Sequence, residues 1–416
     1  MTDDLTARLE HIRPGLTELY KDLHANPELS FQEHRTAGEI ARRLKALGLD
    51  VATGVGRTGV VGTLRNGDGP TVLLRADFDG LPVAEGTGLP YASTVKGTDP
   101  DGREVPVMHA CGHDMHVTCL LGALDLLNAA RAEWSGTVLA VFQPAEEIGA
   151  GARAMVEDGI FDRFGKPDVV LGQHVMPLPA GMLGVHAGPA FAATDAIDVR
   201  LFGKGGHGSM PEAAIDPVVM AASTVMRLQT VVSREIAGGD TAVVTVGSMR
   251  AGTKDNIIPD DAELKLNIRT FTEPVRKKVL NAVERIIKAE AVASGALREP
   301  EITPIGTFPL LFNDPDATAR TAQALRARFG NETVVDPGAV PGSEDVGIFA
   351  TAAGVPICYW LFGGTDPEKF AAAAKAGTVE REIPFNHSPQ FAPVIEPTLT
   401  TGVTAMYTAA RAWLGG

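Results

Sequence analysis

TVLAVFQPAEE, residues Thr137–Glu147, sets an apolar run directly against two adjacent carboxylates. The run is continuous in Val, Leu and Phe instead of alternating with polar residues, and Pro144 stops it. That pattern reads as a strand buried on both faces, which belongs in an α/β sheet. PDVVLGQHV, Pro167–Val175, repeats the pattern and brings His174 to its end, one residue before Val175. Open α/β sheets keep their chemistry beyond the carboxyl ends of their strands. Glu146, Glu147 and His174 therefore stand where a site is expected.

Working outward, strands are read at Gly59–Leu64 and Thr71–Arg75. Helices are read at Thr36–Leu47, Asp114–Ala130 and around Ala152–Asp158. From about Gly188 the order changes to strand Ala196–Phe202, helix Pro217–Glu235, strands Ala242–Met249 and Ala262–Phe271, helix Glu273–Ala293 and strand Glu301–Ile305. In the helix Pro217–Glu235, Val218, Ala222, Val225 and Val232 share one side. This β-α-β-β-α-β order is the ferredoxin-like split βαβ unit, which can fold by itself. The expected fold class is thus α/β, a mixed-sheet domain (residues 1–187 and 304–416) with an inserted ferredoxin-like (βαββαβ) domain (188–303). A helix at Ala317–Phe329, a strand at Pro356–Leu361 and an amphipathic helix at Glu396–Trp413 should complete the first domain.

Composition removes several classes of function. The chain has 416 residues, 44% hydrophobic and 21% charged, with a formal net charge of −14. That charge repels phosphate backbones and anionic membranes, so no nucleic-acid or membrane partner is expected. No run approaches the roughly 20 apolar residues of a membrane span, and MTDDLTARLEHIRPG lacks the features of a secretory signal. Three unevenly spaced cysteines argue against a disulfide framework and for a reducing, cytoplasmic setting. Cys119 and Cys358, in apolar surroundings, are read as core.

MHACGHDMHV, Met108–Val117, concentrates three of the ten histidines with Cys111 and Asp114. Cys111 and His113 fall at a helix start, where the helix dipole should favour thiolate, the form that binds metal. A metal site needs three or four protein ligands, so one C-x-H pair is not enough. Glu146 and Glu147, His174, and His387 in NHSPQF can supply the others. Neighbouring residues in a turning chain point different ways, so one glutamate can hold metal while the other faces water. Any single histidine here is most simply a surface or core residue. The convergence of four strand-end segments is what favours a site.

RADFDGLP (Arg75–Pro82), MHACGHDMH, QPAEE, GQHV, GKGGHGS (Gly203–Ser209), NIIPD (Asn256–Asp260), GSED (Gly342–Asp345) and NHSP, in this order, resemble the M20 metallopeptidase family. The amidohydrolase branch, which cleaves N-acyl amino acids, hippurate-like compounds and auxin conjugates, is the most similar. The resemblance begins at LHANPELSFQEHRTA (Leu23–Ala37). It implies two divalent ions per subunit, of Mn, Zn, Co or Ni, held by Cys111, His113, Glu147, His174 and His387. Cys111 would bridge them, with His113 and His174 on one ion and Glu147 and His387 on the other. Glu146 would be the general base of a metal-activated water.

The resemblance further implies that the first domain is the metallohydrolase catalytic domain and the inserted one a lid or dimerisation domain, that His207 stabilises an oxyanion, and that Asn256 and Arg269 meet the substrate. Read from the residues themselves, Gly363 after the Tyr359–Trp360 strand is a candidate to line the pocket, and Asp79 and Asp114 are candidates to support the metal ligands. Asp77 is a further candidate for that supporting role, as are His109 and His116, for which helix packing is an equal alternative. A homodimer or tetramer through the inserted domain, acting on a small N-acyl amino acid, completes the expectation. Alternatives are a dipeptidase or aminopeptidase of the same fold, or a dimer that binds acyl amino acids without turnover. Phe78 stands where the family usually has Met, and Gly80 where it has Ala. Phe78 is expected to reshape a pocket wall.

Overall fold

The computed structural model describes residues 3–416. Its chain divides into two compact units, Met1–Ala190 with Phe312–Gly338 and Asp345–Gly416, and Phe191–Leu311 with Ala339–Glu344.

An eight-stranded mixed sheet forms the centre of the first unit. Its spatial order is Asp50–Val55, Gly59–Asn66, Gly136–Gln143, Thr71–Asp77, Val169–Pro179, Ile357–Thr365, Leu183–Gly184 and Val334–Val335. Thr71–Asp77 runs parallel to both Gly136–Gln143 and Val169–Pro179, and the latter runs parallel to Ile357–Thr365. Gly136–Gln143, quoted at the outset, is buried along almost its whole length, as its unbroken apolar run requires. Asp77 pairs in register with Gln143, so the ends of two strands lie side by side, one residue beyond which the Pro144–Glu147 turn begins.

One helix places the chemistry. His113–Ala129 is buried around nearly its whole circumference and shares a core with the helices Asp3–Ala25 and Thr398–Trp413. Gly112 caps it at φ 83°, and a Cβ there would lie 2.4 Å from Val175 Cγ1. Only glycine fits, and this close approach sets Cys111 and His113 on either side of the turn.

The second unit has a four-stranded antiparallel sheet in the order Ala242–Ala251, Asp261–Thr270, Ala193–Phe202 and Glu301–Phe308. The helices Pro217–Thr230 and Glu273–Ala293 pack with it around a separate core. Where the sequence reading drew 188–303, the compact unit reaches Leu311 and takes in Ala339–Glu344. The last strand keeps pairing to Phe308, opposite Thr194, and Ala192 N–H donates to the carbonyls of Val340 and Gly342.

In the helix Pro217–Thr230, Pro217, Met220, Ala221, Thr224 and Leu228 are buried and Val225 packs partly buried against the core, while Val218 and Ala222 are exposed; Val232 lies just beyond, in Val231–Glu235, and is exposed too. The helix is apolar on more than one side, so an apolar stripe in the sequence does not by itself single out the buried face.

Candidate metal centre

Four of the five expected ligands come together tightly within the first unit, and the fifth touches one of them. Cys111 Sγ lies 3.5 Å from His174 Nε2. His113 Nε2 is 3.7 Å from Glu147 Oε1, and Glu147 Oε2 is 3.3 Å from His387 Nε2. Donor atoms of Cys111, His113 and Glu147 all fall within 4.8 Å of one another. Glu147 thus stands between His113 and His387, while Glu146 Oε2 is 4.0 Å from His113 Nε2.

Hydrogen bonds behind the rings leave the correct atoms facing inward. His113 Nδ1 lies 3.0 Å from the Asp79 carbonyl, and His174 Nδ1 lies 2.8 Å from the Val175 carbonyl. A carbonyl only accepts, so each Nδ1 carries a proton and Nε2 is the nitrogen left for a metal, which it ligates once the ring is neutral. His113 Nε2 and Glu147 Oε1 are buried without a hydrogen-bond partner. Buried polar atoms are rarely left so, and a divalent ion would satisfy both. The donor set of thiolate, imidazole and carboxylate fits two such ions.

The thiol does not behave as its place in the sequence suggests. Cys111 precedes the helix and is buried, and burial followed by the charge of Glu147 pushes its pKa well above the ordinary value. The helix dipole is outweighed by desolvation, so deprotonation must come with a bound cation. Burial also raises Glu147 to about 8, against the pull of His113 and with Asp79 and Asp77 adding to the rise.

Asp79 is the main support. Its Oδ1 accepts Glu146 N–H and its Oδ2 accepts Glu147 N–H, both at 3.1 Å, and Ser30 donates to Oδ2 at 2.7 Å. One carboxylate thus fixes the backbone of both glutamates and, through its carbonyl, the ring of His113. Asp114 is held by His24, its Oδ2 2.6 Å from His24 Nδ1, while His24 Nε2 meets Glu85 Oε1 at 3.1 Å.

His116 is satisfied at both nitrogens, with Asp77 Oδ1 at 2.5 Å and the Val175 N–H at 2.8 Å. It needs no metal. Asp77 is further held by Arg75 Nη1 at 2.6 Å. His109 is buried with neither ring nitrogen hydrogen-bonded, and burial lowers it to about 4, so it is neutral.

His174 is not at a strand end. Its strand continues to Pro179 and pairs His174 with Leu361. Phe78 is fully buried in the main core. Gly363 is likewise packed. A Cβ there would stand 1.8 Å from the Pro179 carbonyl, which explains the glycine by close backbone approach.

The remaining expected residues belong to the second unit. His207 is exposed, its Nδ1 accepting Ser209 N–H at 3.1 Å, and it pairs with Ile257, which brings it beside Asn256. Arg269 donates to the Pro341 carbonyl and, at 3.2 Å, to Asn267 Oδ1, so its guanidinium is engaged within that unit.

Asn386 escaped the sequence reading. Its Nδ2 donates to the carbonyls of Cys111 (3.2 Å) and Val175 (3.1 Å), tying two ligand segments to the residue before His387. Its place in NHSP was the available signal.

Comparison with known proteins places this geometry. The model of peptidase family M20/M25/M40 matches residues 73–383. N-acetylcysteine deacetylase of Bacillus subtilis (strain 168) is 39% identical over 337 residues, 80% of this chain and 84% of that protein. Hippurate hydrolase of Campylobacter jejuni is 37% identical over 349 residues, 83% of this chain and 86% of that protein. The crystal structure of Bacillus subtilis YxeP, described as a dinuclear metal-binding peptidase from family M20, superposes with a TM-score of 0.75 at 32% identity. That match covers 96% of this chain and 98% of YxeP. The chain belongs to peptidase family M20/M25/M40. Within that family it is a metal-dependent amidohydrolase.

Proposed function

We propose that this amidohydrolase cleaves the amide bond of N-acyl amino acids, with Glu146 as general base. The observation that carries the reading is the division of labour on one turn. Glu147 reaches between His113 and His387, while Glu146, its backbone held beside it by Asp79, brings its Oε2 to 4.0 Å from His113 Nε2. Cys111, His113, Glu147, His174 and His387 would hold two divalent ions, whose chemistry is to polarise the amide carbonyl and acidify water. The Glu146 carboxylate accepts a proton from the attacking water and returns it to the leaving nitrogen. His113 and His174 stay fixed by their Nδ1 hydrogen bonds, so the donors need no rearrangement during turnover.

N-acetylcysteine and hippurate, named by two relatives, share an acyl group on an amino acid. That shared chemistry supports the substrate class over dipeptides. Zn, Mn, Co and Ni all suit the mixed donors. Three free, buried cysteines are compatible with a reducing cytoplasm, and no helix among the described residues is long and apolar enough to cross a membrane. Val219 and Met226, 61% and 72% exposed on the helix Pro217–Thr230, are where a second copy would pack in a homodimer.

The test is amino-acid release by metal-stripped protein re-supplied with each of the four metals. Substrates are N-acetyl, N-benzoyl and long-chain N-acyl amino acids alongside dipeptides. Metal-dependent release from the acylated compounds is expected. Cleavage confined to dipeptides rejects the substrate class, and binding without release rejects catalysis.

A further inference from the structure

Four non-glycine residues among those described have left-handed backbone: Phe31 (φ 61°), Arg57 (φ 85°), Ala145 (φ 49°) and His387 (φ 71°). L residues avoid this region, and such residues persist where the surroundings enforce them, often at functional sites. His387 is one of the proposed ligands. The other three converge on Glu33.

Glu33 is fully buried. Its Oε1 accepts the N–H of Phe31 and the N–H of Ala145, each at 2.9 Å. Its Oε2 accepts the Thr58 hydroxyl at 2.6 Å, one residue after Arg57, whose guanidinium lies 4.0 Å over the Phe31 ring. No lysine or arginine pairs with Glu33 among the described residues. A buried carboxylate without a cation is costly to keep, and burial, with the charge of Asp79, raises this one to about 7. Its partners are two backbone N–H groups and a hydroxyl, and one of those N–H groups belongs to the residue before Glu146.

The turn itself explains why that N–H matters. The Ala145 carbonyl accepts from Ala150 (3.2 Å) and Gly151 (3.0 Å), and the Glu146 carbonyl accepts from Gly149 (2.7 Å). Asp79 takes the N–H groups of Glu146 and Glu147. Three consecutive backbone N–H groups, from Ala145 to Glu147, are thus received by two carboxylates. Asp79 directs the two glutamates, and Glu33 holds the residue whose unusual φ sets their direction.

We infer that Glu33 is a positioning residue for Glu146, enforcing the left-handed conformation of Ala145 from which the general base projects. This rests on the proposed hydrolysis and adds to it a residue that touches neither substrate nor metal. A rate depends steeply on such placement, about a hundredfold for roughly 1 Å.

The experiment measures kcat, KM and metal content for Glu33→Ala, Glu33→Gln, Ala145→Gly and the double variant Glu33→Ala/Ala145→Gly. Glu33→Ala should lower kcat by roughly thirtyfold or more, with KM within about threefold of the parent and two ions retained. Glu33→Gln should stay within about threefold, because its carbonyl oxygen can receive both N–H groups while its amide donates to Thr58 Oγ1. Glycine adopts positive φ freely, so loss of Glu33 should cost less than about tenfold in the Ala145→Gly background.

Near-parental kcat in folded Glu33→Ala overturns the inference. So does an equal loss in both backgrounds, or a Gln variant as impaired as Ala. Should Glu33→Ala fail to fold, Glu33→Asp, one methylene short of Ala145 N–H, is judged by the same kcat and KM criteria. Parental protein that hydrolyses no acyl amino acid rejects the reaction itself. An active parent with an unaffected Glu33 series rejects only this role.

Discussion

Replacing Asp79 by Asn would disturb the site while changing little in size. Asp79 is 1% exposed, and its two oxygens receive the N–H groups of Glu146 and Glu147 at 3.1 Å and the Ser30 hydroxyl at 2.7 Å. Asparagine keeps one acceptor oxygen and turns an NH2 toward the other N–H, so one charge-assisted bond is lost and two donors face each other. A hydrogen bond to a charged group contributes about 1.5–3 kcal/mol, and a buried unsatisfied donor costs about 1–3 kcal/mol more. The expected destabilisation is therefore on the order of 3–5 kcal/mol. For a unit of this size it lowers the thermal midpoint by about 10 °C.

The same change removes a negative charge beside the ligands, so metal affinity should fall roughly tenfold to a hundredfold. Loosening the Glu146 backbone should lower kcat about a hundredfold even at saturating metal. Thermal unfolding, metal titration and steady-state kinetics on one preparation read all three. An Asn variant with the parental midpoint and kcat would refute the argument that Asp79 orients the glutamate turn.

Other perturbations separate ligands from their supports. Cys111→Ala should lower metal content from two ions per chain, because its sulfur lies against His174 and within reach of both His113 and Glu147; unchanged content removes it from the ligand set. His116→Phe should retain both ions but lose roughly 2–4 kcal/mol of stability, since it breaks buried bonds to Asp77 and Val175 N–H; loss of one ion would make His116 a ligand. His24 is raised from 6.5 to about 10, burial being outweighed by the charge and hydrogen bond of Asp114 and by Glu85. Its contribution is therefore complete below about pH 6.5 and fades as pH rises toward 10. The thermal midpoint of the parent should fall more steeply over that window than that of His24→Gln, and parallel profiles would contradict the charged state.

Much of this was legible because it depends on local pattern. Strands buried on both faces announce themselves as unbroken apolar runs, so Gly136–Gln143 and Val169–Pro179 could be found with the carboxylates beside them. Residues whose role depends on the finished fold could not be read the same way. Nothing local distinguishes His113, with its Nε2 left over, from His116, whose two nitrogens are both bonded across the fold. The full burial of Phe78 could not be read, nor that burial raises the pKa of Cys111 where the helix start was expected to lower it, because burial is a property of the tertiary structure. The helix Asp3–Ala25 went unread with Pro14 inside it, although Leu5, Leu9, Leu16, Leu19 and Leu23 form a buried stripe. Glu33 lay in a quoted motif, but its partner Ala145 is 112 residues away.

The most direct test of the central claim measures metal content and amino-acid release on the same preparations of the parent and Glu146→Gln. The account predicts two ions per chain in both proteins, with release from an N-acyl amino acid reduced by roughly a thousandfold or more in the Gln variant. Near-parental turnover by Glu146→Gln with both ions bound would contradict it.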